Sequence, residues 1–345
     1  MIGDYLITKE LVDLIEKKRK ECNENLLYWL KQSEITNETY QECALYNEQL
    51  SEILKTTFIK GEILVQKNIV NKLSAFWEYE KKPQNEKEAF EVMKKLIKEG
   101  SENPCIRKFA LDIAEKCSQN MGISVIVPPV EELYSYTLIQ EESKYVNVFI
   151  NHCVKVAREI YEYVRAKMVY VSDPPDDYYQ KAYHTLEILN FKGDCDDLAI
   201  LLCSLLRSIG YRTFLGFQPR HVFAGVVLPK FHPTEKNSIE YVEVPLDPQI
   251  KDYEIRIGSQ KIHFNVFDIL DGSFLNLLSR KIIEQNTYVS DGDIKKITED
   301  IRKILKRLSD LSHATIYFID QPIAATKIVT IFQNEISKYL ASLEH

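Results

Sequence analysis

The stretch GDCDDLAILLCSLLRSIG, residues 193–210, decides how the rest of the chain is arranged. Its apolar residues Leu198, Ala199, Leu201, Leu202, Leu205, Leu206 and Ile209 recur at the spacing of a buried helix face. Gly210 follows as a residue that tolerates the positive φ of a helix end. The spacing predicts a helix that starts close to Cys195. Asp194 is a good N-cap, and Asp197 three residues on occupies the acidic place of a capping box. Cys195 then falls in the first turn, where unpaired N–H groups and the positive end of the helix dipole favour a thiolate and can bind an oxyanion. Asp194, Asp196 and Asp197 act in the opposite sense if they point at the sulfur, so activation needs a strong partner base.

Working outward, RTFLGF (residues 212–217) reads as a strand, Pro219 breaks it, and HVFAGVVL (221–228) reads as its antiparallel neighbour. YVEVPL (241–246) is a third strand, closed by Asp247 and Pro248. His221 opens one strand and Asp247 ends the next, which puts an imidazole and a carboxylate at neighbouring sheet positions. A thiol, an imidazole and a carboxylate in that order form the layout of a cysteine nucleophile with its base and orienter. Each has a bland counterpart. A strand histidine is more often structural, an Asp-Pro pair is more often a turn, and Cys203 among leucines is a core residue. Cys195, set between carboxylates at a helix start, lacks a purely packing role.

GDCDDLAILLCSLLRSIG, RHVFAGV (220–226) and VPLDP (244–248) together resemble the transglutaminase-like superfamily of papain-type thiol enzymes. The resemblance implies Cys195 as nucleophile, His221 as general base and Asp247 as orienting carboxylate. It implies an α+β fold in which the nucleophile helix packs on an antiparallel sheet, flanked by helical extensions. Upstream, YVSDP (170–174), the segment from His184 to Leu186, and MKKLI (93–97) through PCIRKFA (104–110) resemble the lead-in of archaeal and phage-type members. Many members carry a tryptophan after the histidine; Phe223 lies there in this chain. The implied chemistry is attack on an amide of a protein or peptide substrate through an acyl-enzyme, with no cofactor. Water as acceptor makes a peptidase or amidase, and an amine acceptor makes an acyltransferase. Hydrolysis is the preferred outcome, because no acceptor site is recognisable. Gln180, Tyr183, Asn190 and Asp194 are the candidates for oxyanion or substrate contacts.

Composition sets the outer bounds. A formal charge of −7 excludes general nucleic-acid affinity, and no apolar run has membrane length. Seven cysteines, an odd count with no C-x-x-C pair, fit a reducing compartment, and the N-terminus has no signal-peptide core, so the expectation is cytoplasmic. A metal site from Asp194, Cys195, Asp196, Asp197 and His221 is disfavoured, because consecutive carboxylates at a helix start diverge and no H-E-x-x-H motif supports it. With 345 residues the chain holds more than one unit. The reading is a helical N-terminal extension over 1–86, bounded by the polar run 81–87, a catalytic domain over 87–270, and a helical hairpin or coiled-coil region over 271–345. Trp29, Phe76 and Trp77 read as packing aromatics of the extension. The C-terminal repeat Ile294, Ile297, Ile301, Ile304, Leu308, Leu311 offers either a homodimer seam or a face packed within the chain. The alternative function is a catalytically inactive scaffold that acts through its terminal helices.

Overall fold

The computed structural model describes residues 80–81, 83, 85–127, 130, 134, 143–171, 178–232, 238–257, 260–284 and 291–343. The helical reading of the N-terminal extension, with its three aromatics, lies almost wholly outside them, as do residues 172–174 of the YVSDP segment. In chain order the described elements begin with β1 (Glu80–Lys81), α1 (Glu86–Glu102), α2 (Pro104–Met121), α3 (Ser143–Lys167), β2 (Val169–Tyr170) and β3 (Tyr178–Tyr179). A π-helical turn (His184–Ile188), β4 (Lys192–Gly193), α4 (Cys195–Ser208), β5 (Thr213–Gln218), β6 (His221–His232) and β7 (Ser238–Leu246) follow. The chain continues through β8 (Tyr253–Ile257), β9 (Gln260–Phe264), α5 (Val266–Leu270), α6 (Ser273–Glu284), α7 (Asp291–Ser312), β10 (Thr315–Phe318), β11 (Thr326–Lys327) and α8 (Ile328–Leu343).

The fold is mixed α+β, as the sequence implied, and consistent with the transglutaminase-like core expected from it. Its five-stranded sheet runs β10-β5-β6-β7-β11, antiparallel except for the parallel pair β11 and β7. The two-residue turn at Pro219 and Arg220, the latter at φ 62, closes the β5–β6 hairpin. Burial is continuous from Val222 to Pro229, so β6 is covered on both faces. Helices α3 and α4 pack on β6, and α5 and α8 pack on β7. Helix α4 is buried from Asp196 to Leu206, which makes it the centre of the core. Fully burying one Leu or Ile side chain contributes about 1.5–3 kcal/mol, so the Leu-rich face of α4 holds it firmly in place.

The helical stretch that includes Phe90 to Cys117 is built as two helices, α1 and α2. Asn103 ends the first and caps the second, its side chain accepting from Cys105 N–H at 2.9 Å. Pro104 then takes the first helical position, where its missing N–H costs nothing. The apolar run at 122–127 forms no strand.

The C-terminal stretch 271–345, expected to be all helical, also supplies strands. β10 extends the sheet beyond β5 and β11 extends it beyond β7, so this region closes both edges of the core. Thr315, Ile316, Tyr317 and Phe318 alternate too briefly between two helices to stand out in the sequence. The apolar repeat of α7 is used within the chain: Ile297, Ile301, Ile304, Leu308 and Leu311 are buried, and the helix packs on β8 and α8. A two-pronged ion pair from Arg256 to Asp300, at 2.9 and 2.7 Å, ties α7 to β8. These hydrogen bonds hold the Asp300 carboxyl below the usual carboxylate range.

Candidate active site

The turn before α4 is shaped by backbone constraints. Asn190 and Phe191 both adopt the left-handed region, at φ 50 and φ 64. For non-glycine residues that costs about 1–3 kcal/mol each, so the surroundings must hold them there. Phe191 N–H donates to Thr185 O at 2.7 Å, Val169 N–H donates to Phe191 O at 3.0 Å, and the buried Phe191 ring lies against Phe109 and Tyr163. Gly193 follows because nothing larger fits: a Cβ there would lie 2.7 Å from the Asp197 Cβ.

The capping box then forms as expected. Asp194 accepts from Asp196 N–H at 3.2 Å and Asp197 N–H at 3.5 Å, while Asp197 accepts from Asp194 N–H at 3.2 Å. The other Asp197 oxygen accepts from Gln180 N–H at 2.9 Å, so one buried carboxylate joins the strand segment before the π-helical turn to the start of α4. Cys195, at the first helical position, is partly exposed. The cap occupies the N–H groups of Asp196 and Asp197, and the N–H of Cys195 itself has no protein acceptor among the described residues.

His221 and Asp247 meet across the β6–β7 pair. Ala224 lies opposite Leu246, so the next step along the register sets Asp247 opposite Phe223 and diagonal to His221. His221 Nε2 and Asp247 Oδ2 are 2.6 Å apart. Asp247 is buried, its Oδ1 accepts from Gln249 N–H at 3.0 Å, and its carbonyl accepts from the Tyr161 hydroxyl at 2.9 Å. Hydrogen bonds to Asp247 first, and to Cys195 second, outweigh burial and raise the His221 pKa to about 10. With Nε2 engaged by Asp247, Nδ1 is the ring nitrogen left for the sulfur. Because the folded value lies above the ordinary one, the associated stability is complete below about pH 6.5 and is lost as pH rises through about 10. Asp247→Asn removes the charge while keeping the shape. The His221 titration followed by NMR of labelled imidazole is then expected to fall from about 10 toward about 6.5.

The structure thus brings Cys195, His221 and Asp247 together. The other candidates are dispersed. Asp194 is committed to the cap. Gln180 lies beside the start of α4 and is partly buried, with its side-chain Oε1 accepting from the Thr185 hydroxyl at 3.4 Å. Tyr183 is half-buried with its ring 6.1 Å from that of His184, and Asn190 is exposed in the left-handed turn. Ligand-type atoms of Asp194, Cys195 and Asp196 do lie within 4.8 Å of one another. Asp194 is taken up by backbone donors and His221 by Asp247, which leaves this set short of the four ligands of a structural zinc site. His152 and Cys153, adjacent on α3, are buried core residues; His152 meets the Ser118 hydroxyl at 2.9 Å. Sequence reasoning missed Tyr161 and Gln249 as supports of Asp247. Gln249 follows the Asp-Pro pair that the reading did single out, whereas Tyr161 is one ring on a long helix with no local signal.

A sheet-borne histidine beside a cysteine at a helix start, in a mixed α+β core, is the layout of papain-type thiol enzymes. Residues 147–232 match the family model described as the transglutaminase-like superfamily. Members of that superfamily are usually cysteine-dependent enzymes. The match runs from α3 to the end of β6, so it includes Cys195 and His221 and stops before Asp247. No curated protein and no solved structure showed significant similarity to the chain. Among the described residues, no helix is long and apolar enough to cross a membrane.

Proposed function

We propose that the chain is a thiol-dependent amide or peptide bond hydrolase that works through an acyl-enzyme, with Cys195 as nucleophile, His221 as base and acid, and Asp247 as orienter. The observation that carries this reading is the 2.6 Å bond between His221 and a buried Asp247, beside a partly exposed cysteine at a helix start. His221 takes the thiol proton, and the thiolate attacks the amide carbonyl. The tetrahedral oxyanion is held by the N–H of Cys195, with Gln180, whose backbone N–H is bonded to Asp197 in the same helix turn, as the candidate for a second donor. His221 then protonates the leaving amine, and water deacylates the enzyme. An amine in place of water would give acyl transfer by the same steps.

A peptide library with blocked amines separates the outcomes. Incubation with the protein and a labelled primary amine is expected to release new amino termini at least ten times faster than Cys195→Ala releases them, with little label incorporated. Label incorporation that exceeds new termini would make transfer the main reaction. Neither product above the Cys195→Ala background would overturn the catalytic reading.

A further inference from the structure

Strand β2 runs parallel to β4, with Tyr170 opposite Gly193, two residues before Cys195. Val169 N–H donates to Phe191 O and Val171 N–H donates to Gly193 O, each at 3.0 Å. Alternation along a strand therefore turns the N–H and C=O of Tyr170 away from β4. Among the described residues no strand pairs with that second edge. The side chains on it are also open: Val169, Tyr170 and Val171 are 49%, 51% and 47% exposed. Tyr163, 40% exposed, lies with its ring 5.9 Å from that of Phe191, whose carbonyl accepts from Val169 N–H. Val169 and Val171 open one face of the strand and Tyr170 the other, and with an outer edge that no described strand pairs, β2 makes a template for strand addition. The position fits a substrate. Extended chain covers about 3.3 Å per residue, so a segment paired at Tyr170 reaches the turn at Cys195 within a few residues.

We propose that β2 is the docking edge for an extended, apolar segment of the substrate polypeptide, anchored by the N–H and C=O of Tyr170 and led from there to Cys195. The inference rests on the catalytic reading above. Main-chain pairing makes the site tolerant of sequence but intolerant of charge on the exposed strip. It favours unfolded or extended polypeptide over compact folded protein.

Three thiol reagents test it. Acetyl-Val-Ile-Val-Ala chloromethyl ketone, whose chloride the thiolate displaces to leave a thioether, supplies an extended apolar chain. Its backbone N-methylated analogue keeps the side chains but cannot pair, and iodoacetamide reports the thiol alone. The wild type is expected to react with the peptidyl probe at least tenfold faster than with the N-methylated one. Tyr170→Pro, which removes an N–H that β4 does not use, is expected to lose that preference and keep its iodoacetamide rate within twofold. Val169→Glu, an independent variant, is expected to behave likewise. Equal rates with the two peptidyl probes in the wild type, or an undiminished preference in both variants, would overturn the proposal. A wild-type dimer that Tyr170→Pro dissociates, without any probe preference, would assign the edge to a second copy and also overturn it. Failure of the catalytic reading shows separately, as an iodoacetamide rate that His221→Ala leaves unchanged.

Discussion

Cys195→Ala is expected to eliminate acyl-enzyme formation, and His221→Ala to lower kcat by about 10⁴–10⁶-fold, with a much smaller change in KM. The asymmetry follows from what each group touches. In the proposed mechanism Cys195 supplies the bond-forming atom, whereas His221 moves the same proton twice, once off the sulfur and once onto the leaving amine. Neither residue belongs to the β2 edge proposed to dock the substrate, so substrate affinity is expected to survive their loss. The two effects are not additive, because a base without its nucleophile has nothing to activate; the double variant should match Cys195→Ala alone. The alkaline limb of the rate profile follows from the raised His221 pKa: the acid needed for amine departure is present at neutral pH and is lost as pH rises through about 10. Steady-state kinetics of the variants against pH checks all three statements. A His221→Ala enzyme with kcat within tenfold of wild type would remove the histidine from the chemistry.

The second large effect concerns stability. Asp197→Ala is expected to destabilise the protein by about 3–5 kcal/mol, read as a fall in the urea or thermal midpoint. Asp197 is fully buried and accepts from the N–H groups of Asp194 and Gln180. Alanine strands both donors at about 1–3 kcal/mol each and removes half of the capping box. Against a typical total of about 5–15 kcal/mol, that is a serious loss. Asp197→Asn keeps one acceptor oxygen and should cost clearly less. The variant also loosens the first turn of α4, so residual activity should fall even where the protein stays folded. A change below 1 kcal/mol for Asp197→Ala would mean that water replaces the carboxylate and that the link between Gln180 and α4 is dispensable.

Much of this arrangement is legible in local sequence. Asp194, Cys195 and Asp197 announce a helix start because capping depends on residues three apart, and the observed cap follows that rule. His221 and Asp247 stand at strand ends that Pro219 and Pro248 mark, so their proximity follows once the strands pair. Phe223 shows a limit of the same kind of reading. The resemblance sets it where a tryptophan is expected, yet its ring covers Gly216 on the adjacent strand, where a Cβ would overlap it. The role is packing within the hairpin, and only the register reveals it. What stays hidden depends on partners far along the chain. Tyr161 reaches Asp247 across 86 positions, and β10 and β11 find the sheet edges from beyond α7. The apolar repeat of α7 is plain in the sequence, but the same spacing serves a coiled coil or an internal face, and only the packing on β8 decides between them.

The most direct measurement is the rate of iodoacetamide labelling at neutral pH, in wild type and His221→Ala, with the modified cysteine located by mass spectrometry. The buried thiols provide an internal contrast: burial pushes Cys117 up to about 11, Cys203 up to about 12, and Cys153 up as well. The expected result is rapid labelling confined to Cys195 and at least tenfold slower labelling in His221→Ala. Equal rates in the two proteins, or label spread over several cysteines, would contradict an imidazole-activated nucleophile.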